Sequence, residues 1–254
     1  MLSVDVLSVE RHGSVALVRL RRPEARNAVN VALATAICEA IAGCQDASAI
    51  VLTGEDPAFC AGLDLRSLGV DALGDLPPFV ASVAGSQVPV IAAVNGPAVT
   101  GGFELALAAD FIVASQRASF ADTHLRVGVY PGPVLVDLPR RVGPAWAREM
   151  SLTGNFVDAA TALRIGITNH VVEHDRLVPF ALELAAAIAE QDRAMVATMR
   201  RDWDATAGGP ISEARRIHEG FARKGGFRSV TSAEGIASRR DAVLRRSQAQ
   251  RRGS

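Results

Sequence analysis

The sequence predicts an α/β fold in which helices cover a largely parallel sheet. Short aliphatic and β-branched runs, each bounded by turn residues, alternate with segments whose apolar residues recur at helical spacing. Such alternation is typical of parallel strands that are joined by right-handed crossovers. After about residue 139 the strand signals become rare and helical patterns dominate. We therefore expect a sheet-containing first part followed by a helical part.

The first part carries the predicted strands in a regular order. The first clear strand runs from Val15 to Leu20 and is ended by Pro23. Apolar residues at helical spacing then predict a helix at 29–44, with Asn30 as its N-cap and Gly43 at its end. Further strands are predicted at 49–54, 88–94 and 111–114, with a helix at 101–109.

The second part is predicted to be helical and to end in a basic tail. Helices are predicted at 144–152, 158–165 and 177–190, and glycine pairs at 208–209 and 225–226 interrupt the remainder. Residues 239–252 contain six arginines and one aspartate. We expect a solvated tail there, and a local contact with phosphate is the alternative.

The amino-acid composition of the chain argues against several classes of function. The 254 residues are 49% hydrophobic, which is enough for a substantial core, and 27 Lys and Arg balance 27 Asp and Glu. Because the formal net charge is zero, we expect neither a nucleic-acid partner nor an anionic membrane surface. No apolar run reaches about 18 residues, and the N-terminus does not have the pattern of a signal peptide. These patterns predict a soluble protein.

The cysteines and histidines predict neither a disulfide framework nor a metal site. Cys38, Cys44 and Cys60 are odd in number and contain no CxxC pair, so we expect a reducing, cytoplasmic environment. Cys60 is expected to be a packed, buried thiol. His170 and His174 have helix-like spacing, but their surroundings predict a strand that leaves a turn, so we expect surface histidines there.

Two glycine-containing turns are the first features of the sequence that indicate a catalytic site. They lie at 60–64 and 95–104, and each follows a predicted buried strand. Gly101 and Gly102 begin the helix that contains Glu104, so unpaired N–H groups there favour developing negative charge. Glu104 lies on the same helix face, one turn further on. An unpaired structural carboxylate would be unfavourable among the apolar residues that follow, which favours a functional role over a glutamate that merely stabilises the helix start.

Four segments together resemble the crotonase superfamily, also called the enoyl-CoA hydratase/isomerases. They are 22–28, 58–65, 89–106, and 152–154 with 159–166, and the resemblance extends from about residue 4 to residue 188. It implies a crotonase-like spiral of ββα units followed by a helical C-terminal trimerisation region. We expect residues 1–195 to form the spiral core that binds acyl-CoA, and 196–254 to form the helical oligomerisation region with its basic tail. The expected assembly is a homotrimer or a dimer of trimers.

The resemblance also implies the site residues. The backbone N–H groups of Leu63 and Gly101 would form an oxyanion hole for a thioester carbonyl, and Glu104 would be the first catalytic carboxylate. Four further residues would lie along the coenzyme A moiety: Ala25, Arg26, Ala61 and Asp64. No metal and no cofactor are expected, because coenzyme A is part of the substrate.

The chain departs from the family pattern at two positions. Hydratases of this family have a second glutamate twenty residues after the first, and here that residue is His124. An imidazole can serve as acid or base near neutral pH, so His124 is our second catalytic candidate. The alternative is that it only lines the pocket and that water chemistry is lost. Asp122 is a candidate either to orient His124 or to replace the acid, and the sequence does not fix its position relative to His124. Pro133 removes an N–H donor from the next turn.

The resulting hypothesis is a hydratase-like enzyme that adds water to a 2-enoyl-CoA thioester, with the oxyanion hole stabilising the enolate. Three alternatives stay open because of His124: an enoyl-CoA isomerase, an acyl-CoA hydrolase, and a member that binds CoA esters without converting them.

Overall fold

The computed structural model describes residues 3–4, 6–64 and 76–224. The second glycine pair and the basic tail lie outside the described residues. By compactness the chain divides into two units, Met1–Glu190 and Gln191–Ser254.

Ten strands are present in the described part of the chain. They are β1 (Ser3–Val4), β2 (Leu7–His12), β3 (Val15–Leu20), β4 (Ala49–Gly54), β5 (Val90–Val94), β6 (Pro97–Val99), β7 (Phe111–Ser115), β8 (Ser119–Ala121), β9 (Val157–Asp158) and β10 (His170–Val172). Within the described residues, seven of them form one sheet in the order β1-β2-β3-β4-β5-β7-β10, and three form a second sheet in the order β6-β8-β9.

Strand pairing in the large sheet changes direction at β3. The pairs β1–β2 and β2–β3 are antiparallel, whereas β3–β4, β4–β5, β5–β7 and β7–β10 are parallel. All six residues of β4 are buried, as expected for a parallel strand that is covered on both faces. The predicted parallel sheet is confirmed, and the antiparallel N-terminal strands add an edge that the sequence pattern did not predict.

Eight helices lie in the described residues. The first unit contains α1 (Val31–Gly43), α2 (Phe79–Ala84), α3 (Gly101–Leu107), α4 (Val134–Thr153), α5 (Ala159–Ile165) and α6 (Leu177–Ala189). The second unit contains α7 (Arg193–Thr206) and α8 (Ile211–Lys224). The predicted cap of α1 is confirmed, because the Asn30 side chain accepts the N–H of Leu33 at 2.9 Å. The helix predicted at 144–152 is the second part of α4, which bends at Gly143.

The core of the first unit has two layers, one on each face of the large sheet. Alternate residues of β4 belong to different layers: Ile50 packs with α1 and α3, whereas Val51 packs with α6. This alternation follows from the period of two in a strand. The predicted α/β fold with a helical continuation is confirmed; trimerisation by the helical region stays a prediction.

Candidate active site

The two glycine-containing turns lie against each other. Cys60 and Ala98 form an isolated parallel bridge, and the N–H of Val99 donates to the Cys60 carbonyl at 3.0 Å. A Cβ atom on Gly102 would lie 2.1 Å from the same carbonyl oxygen, which no side chain can tolerate. Glycine at position 102 is therefore what allows α3 to begin directly against the 60–64 turn.

The backbone N–H groups of Leu63 and Gly101 at this junction have no acceptor among the residues that the structure describes. Leu63 bridges to Val29, but the bonds of that bridge use the Gly62 carbonyl and the Asp64 N–H, which leaves the N–H of Leu63 on the opposite side. The Leu63 side chain lies 3.8 Å from where a Cβ atom of Gly101 would be. The fold thus brings together the two donors that the sequence predicted.

Glu104 lies one turn further along α3 and is buried, with 7% of its surface exposed. Its Oε1 atom accepts the N–H of Val134, the first residue of α4, at 3.2 Å. Burial raises the pKa of Glu104, and this effect outweighs the opposing hydrogen bond from Val134 and the charge of His124. The carboxyl group therefore holds a proton to higher pH than an exposed glutamate would.

His124 faces Glu104 from a 3₁₀ turn, His124–Val127, which follows β8. The Nε2 atom of His124 lies 4.0 Å from Oε2 of Glu104, and both side chains are more than nine-tenths buried. The Nδ1 atom on the other side of the ring lies 2.6 Å from Oδ1 of Asp122. The structure therefore places the predicted pair together, with Asp122 behind the imidazole.

Asp122 is almost completely buried, with 1% of its surface exposed. Burial by itself raises the pKa of Asp122, but hydrogen bonding by His124 and Ser151 outweighs this effect and holds the pKa below its usual value. Ser151 is close enough to contribute, although no described residue donates to Asp122 Oδ2 within the normal hydrogen-bond distance. The carboxylate form of Asp122 is thus favoured next to the imidazole.

The residues expected to lie along coenzyme A are neighbours in space. The N–H of Ala61 donates to the Arg26 carbonyl at 3.0 Å, which joins the 25–26 segment to the 61–64 turn. Ala25 and Ala61 are half-buried, and the Arg26 side chain is exposed. Asp64 forms an ion pair with Arg22, whose Nη2 atom lies 3.0 Å from Oδ2 of Asp64.

Sequence analysis missed two residues that hold this region together. Arg22 contacts both Asp64 and the Ala28 carbonyl. Asn27 is fully buried, accepts the N–H of Arg22 and donates its amide group to the carbonyls of Glu55 and Ala58, at 2.7 Å each. Asn27, a polar residue that follows the Pro23 turn, was the available signal in the sequence. Its hydrogen-bond partners are about 30 positions away, and the sequence has no local pattern that predicts them.

The remaining predicted residues are not part of the Glu104–His124 pair. Cys60 is buried as expected, and burial raises the pKa of its thiol to about 12. His174 corrects our expectation of a surface histidine: it is half-buried, with Nδ1 3.0 Å from Ser115 Oγ and Nε2 2.9 Å from Asp56 Oδ2. Among the described residues, no group of three or more His, Cys, Asp and Glu side chains could hold a metal ion.

A helix that spans a membrane needs about 20 consecutive, mostly apolar residues. Within residues 3–4, 6–64 and 76–224, no helix is long and apolar enough to cross a bilayer.

The site is of the acid/base type: a buried carboxyl group and an imidazole face each other near two free N–H donors. Comparison with known proteins then identifies the family. A model of the enoyl-CoA hydratase/isomerase family matches residues 10–237, and the chain belongs to that family. It is therefore an enzyme of the hydratase/isomerase type with the crotonase fold.

Individual relatives agree with this assignment. The chain is 42% identical over 197 residues to a probable enoyl-CoA hydratase of Rhizobium meliloti, which covers 74% of this chain and 77% of that protein. It is 37% identical over 232 residues to a carnitinyl-CoA dehydratase of Citrobacter koseri, covering 87% and 88% of the two chains.

Solved structures of the family have the same fold. An enoyl-CoA hydratase from Mycobacterium tuberculosis has a TM-score of 0.71 and 41% identity, and the match covers 87% of this chain and 99% of that one. An enoyl-CoA hydratase from Bacillus anthracis has a TM-score of 0.85 and 25% identity, with 93% and 96% covered.

Proposed function

We propose that this enzyme adds water across the double bond of a 2-enoyl-CoA thioester. The observation that carries the proposal is the pairing of Glu104 with His124, whose Oε2 and Nε2 atoms lie 4.0 Å apart in a buried site. Addition of water needs a base for the water and an acid for the α-carbon, and these two side chains can supply both functions. The carnitinyl-CoA dehydratase among the relatives is in keeping with this, since dehydration is hydration in reverse.

In the proposed reaction the thioester carbonyl accepts hydrogen bonds from the N–H groups of Leu63 and Gly101. Negative charge develops on this oxygen when the water oxygen bonds to the β-carbon and an enolate forms. Because neither N–H group has another acceptor among the described residues, both are available to the oxyanion. Removing one such donor typically lowers kcat by about 10²–10³-fold.

The proposal assigns the rest of the ligand to the surrounding segments. The coenzyme A moiety would run along Ala25, Arg26, Ala61 and Asp64, with the exposed Arg26 side chain near a phosphate. Phe79 lies beside Gly101, its ring 3.7 Å from where a Cβ atom there would be, and supplies an apolar wall near the acyl group. Hydration involves no net oxidation, so no cofactor is included besides the coenzyme A of the substrate.

We also propose a cytoplasmic homotrimer or dimer of trimers. Three cysteines that are all free support a reducing environment. Several large apolar side chains in the helical part are exposed, and burying them would favour assembly: Leu152, Phe156, Leu163, Met199, Trp203 and Ile211.

Hydration is tested by following the enoyl absorbance of crotonyl-CoA together with the appearance of 3-hydroxybutyryl-CoA. Parallel assays measure the conversion of a 3-enoyl-CoA and the release of free coenzyme A thiol, and calorimetry measures binding of the saturated thioester. We expect hydration to be the fastest conversion. Faster isomerisation or thiol release would favour the isomerase or the hydrolase, and binding without any conversion would favour a non-catalytic member.

The isomerase is the second candidate because of the same pair of side chains. An acid/base pair that is buried and 4.0 Å apart can also move a proton between two carbons without adding water. The 3-enoyl-CoA assay separates this reaction from hydration.

A further inference from the structure

The backbone of Thr100 is strained directly before Gly101, whose N–H group is one of the two candidate donors to the thioester oxygen. Thr100 has φ 53° and ψ −115°, close to the first central position of a type II′ turn, which glycine dominates. A β-branched residue is a genuine outlier at positive φ, because its Cβ atom crowds the neighbouring carbonyl oxygen. Thr100 therefore adopts at a cost a conformation that glycine would adopt without strain.

Strained backbone of this kind is concentrated in the candidate site. In the described part of the chain, three non-glycine residues have positive φ: Arg26, Asn27 and Thr100. Arg26 is expected to lie along coenzyme A, and Asn27 follows it. Residues in such conformations persist only where their surroundings hold them, and they are common at functional sites. The contacts of Thr100 therefore show what maintains its conformation.

The side chain of Thr100 contacts the segment that leads to His124. Its Oγ1 atom lies 2.6 Å from Oγ1 of Thr123, the residue directly before His124. This separation is that of a hydroxyl–hydroxyl hydrogen bond, in which either group can be the donor. The N–H of Thr100 adds a main-chain hydrogen bond to the Ala121 carbonyl at 2.8 Å. Thr100 is thus bound to both ends of the segment 121–123.

Both threonines stand at N-cap positions, Thr100 before α3 and Thr123 before the 3₁₀ turn. A threonine at an N-cap usually accepts a backbone N–H group of its own helix. Within the described segments 100–107 and 123–127, neither side chain makes such a cap. The two hydroxyl groups bind each other instead, so their contact joins two elements rather than stabilising either helix start.

Thr100 also contacts the elements that present the N–H donors. Its carbonyl accepts the N–H of Glu104 at 2.9 Å, the first hydrogen bond of α3. Its Cβ atom lies 3.4 Å from where a Cβ atom of Gly62 would be, in the turn that carries Leu63. One residue therefore contacts both donor-bearing segments and the segment that leads to the imidazole.

We propose that Thr100 and Thr123 form a positioning pair that fixes the Gly101 N–H donor relative to the His124 imidazole. The inference rests on the proposed hydration, in which the donor binds the thioester oxygen and the imidazole is one of the two acid/base groups. The thioester oxygen and the double bond belong to one planar conjugated group. Donor and imidazole must therefore keep their separation if both are to act on it, and the hydroxyl contact joins the residues that directly precede them.

Two variants at Thr123 separate the effect of the hydroxyl group from that of side-chain size. Thr123→Val keeps the shape and removes the hydroxyl, whereas Thr123→Ser keeps the hydroxyl. We expect Thr123→Val to lower kcat for crotonyl-CoA hydration by about 10–100-fold and to leave KM within ~3-fold of the wild type, because a displaced donor weakens stabilisation of the transition state. Thr123→Ser should keep kcat within ~3-fold of the wild type. Wild-type kcat in Thr123→Val would overturn the proposal.

Thr100→Gly separates positioning from a structural role. Glycine adopts the backbone conformation of residue 100 without strain, which offsets the loss of the side-chain contact. The midpoint of thermal unfolding should therefore be no lower than that of the wild type. The hydroxyl is lost, however, so kcat should fall to about the level of Thr123→Val. A lower midpoint with unchanged kcat would show that Thr100 only supports the fold, and the proposal would then be wrong.

The double variant Thr100→Gly/Thr123→Val tests whether the two residues act through one contact. If they do, the second substitution has nothing further to remove, and kcat of the double variant stays within ~3-fold of the less active single variant. Effects that multiply would show two independent roles and would contradict the pair. Thr168→Val is the matched control, since it removes a buried hydroxyl that donates to the Ile112 carbonyl at 2.8 Å. It should leave kcat and KM unchanged.

A spectroscopic measurement does not depend on turnover. Hydrogen bonds to the thioester oxygen lower the stretching frequency of the carbonyl, which infrared difference spectroscopy detects in bound butyryl-CoA labelled with carbon-13. We expect a lowered frequency in the wild type and in Thr123→Ser, and a return towards the frequency of the free ligand in Thr123→Val. Equal frequencies in the wild type and Thr123→Val would overturn the positioning pair.

The spectrum also separates this inference from the proposed function. A wild-type enzyme that binds butyryl-CoA and lowers its carbonyl frequency, but does not hydrate crotonyl-CoA, would refute the proposed hydration. The comparison of Thr123→Val with Thr123→Ser would then still decide whether the hydroxyl pair positions the donor.

Discussion

The Glu104 carboxyl group accepts a hydrogen bond from the backbone N–H of Val134 at 3.2 Å. This contact joins a side chain on α3 to the first residue of α4, and it holds Oε1 while Oε2 faces the imidazole of His124. The carboxyl group is therefore oriented by the main chain, and its reactive oxygen is the one left towards the second side chain of the pair.

We predict that Glu104→Gln removes turnover but not binding. Glutamine keeps the shape of the side chain and can still accept the Val134 N–H, but it cannot transfer a proton. We expect kcat for hydration to fall by about 10²–10⁴-fold, with little change in the affinity for a saturated acyl-CoA. Glu39→Gln, an exposed change on α1, is the control. A variant that kept more than about a tenth of kcat would show that Glu104 is not the acid/base group.

The same substitution should change the dependence of stability on pH. Because the folded-state pKa of Glu104 is raised above its ordinary value of 4.5, the folded protein binds more protons than the unfolded chain between these two values. Glu104 therefore stabilises the folded protein fully at pH values below its unfolded-state pKa. This stabilisation is lost as the pH rises through its folded-state pKa. Glu104→Gln should therefore gain stability relative to wild type as pH rises, measured by urea unfolding at about pH 4 and about pH 7. If the difference in unfolding free energy between the variant and the wild type were the same at both pH values, the raised pKa would be contradicted.

Much of the fold was predictable because its signals are local. Asn30 caps α1 through a side chain three residues from its partner, and the strand at 49–54 is a continuous apolar run between turn residues. The antiparallel strands β1 and β2 were not predicted, since pairing direction depends on partners rather than on composition. The part of α4 before Gly143 was also missed, because a segment with a proline inside it has no distinct helical periodicity.

The candidate site was predictable to a similar degree. Turn glycines and the spacing to Glu104 indicated a site that favours developing negative charge, with a carboxyl group beside it. The contact between Asp122 and His124 was only one of several possibilities in the sequence, because two residues separated by one position meet only if the chain turns between them. The role of Arg22 at Asp64 depends on a contact between residues 42 positions apart, for which the sequence has no local signal.

We predict that Gly102→Ala damages both stability and activity. A Cβ atom would lie 2.1 Å from the Cys60 carbonyl oxygen, so α3 must move away from the 60–64 turn. This movement would separate the N–H donors of Leu63 and Gly101. We expect a loss of about 1–3 kcal/mol in the free energy of unfolding and a kcat at least ~10-fold lower.

Gly43→Ala is the matched control for this change. A Cβ atom on Gly43 meets nothing within 4 Å, so stability should change by less than about 0.5 kcal/mol and activity should be unchanged. If both variants behaved alike, close packing at Gly102 would not be the cause.

We predict that the enzyme sediments as a trimer or a dimer of trimers at micromolar concentration. Leu152 is 71% exposed at the end of α4, within the helical region expected to assemble. Leu152→Glu should therefore lower the assembled fraction in sedimentation velocity. Val31→Glu, at an exposed apolar position on α1, is the control and should leave assembly unchanged. A wild-type monomer would contradict the prediction.

The last prediction concerns replacement of His124 by the glutamate that the family pattern has there. From the sequence alone, His124→Glu is expected to keep or raise hydratase activity, because it restores the carboxylate pair. The position of Asp122 changes this expectation. Its Oδ1 atom lies 2.6 Å from His124 Nδ1, so a glutamate there would add a third carboxylate to a buried site and remove the partner of Asp122. Like charges and an unpaired buried carboxylate both destabilise such an arrangement.

We therefore expect His124→Glu alone to lose hydratase activity, and Asp122→Asn combined with His124→Glu to recover at least ~10-fold over that single variant. Asparagine removes one negative charge, and its amide group can donate a hydrogen bond to the new carboxylate. Crotonyl-CoA hydration at saturating substrate measures the recovery, with thermal unfolding of each variant as the control for folding. A single His124→Glu variant as active as the wild type would show that Asp122 tolerates a carboxylate in place of the imidazole, and the coupling between residues 122 and 124 would then be absent.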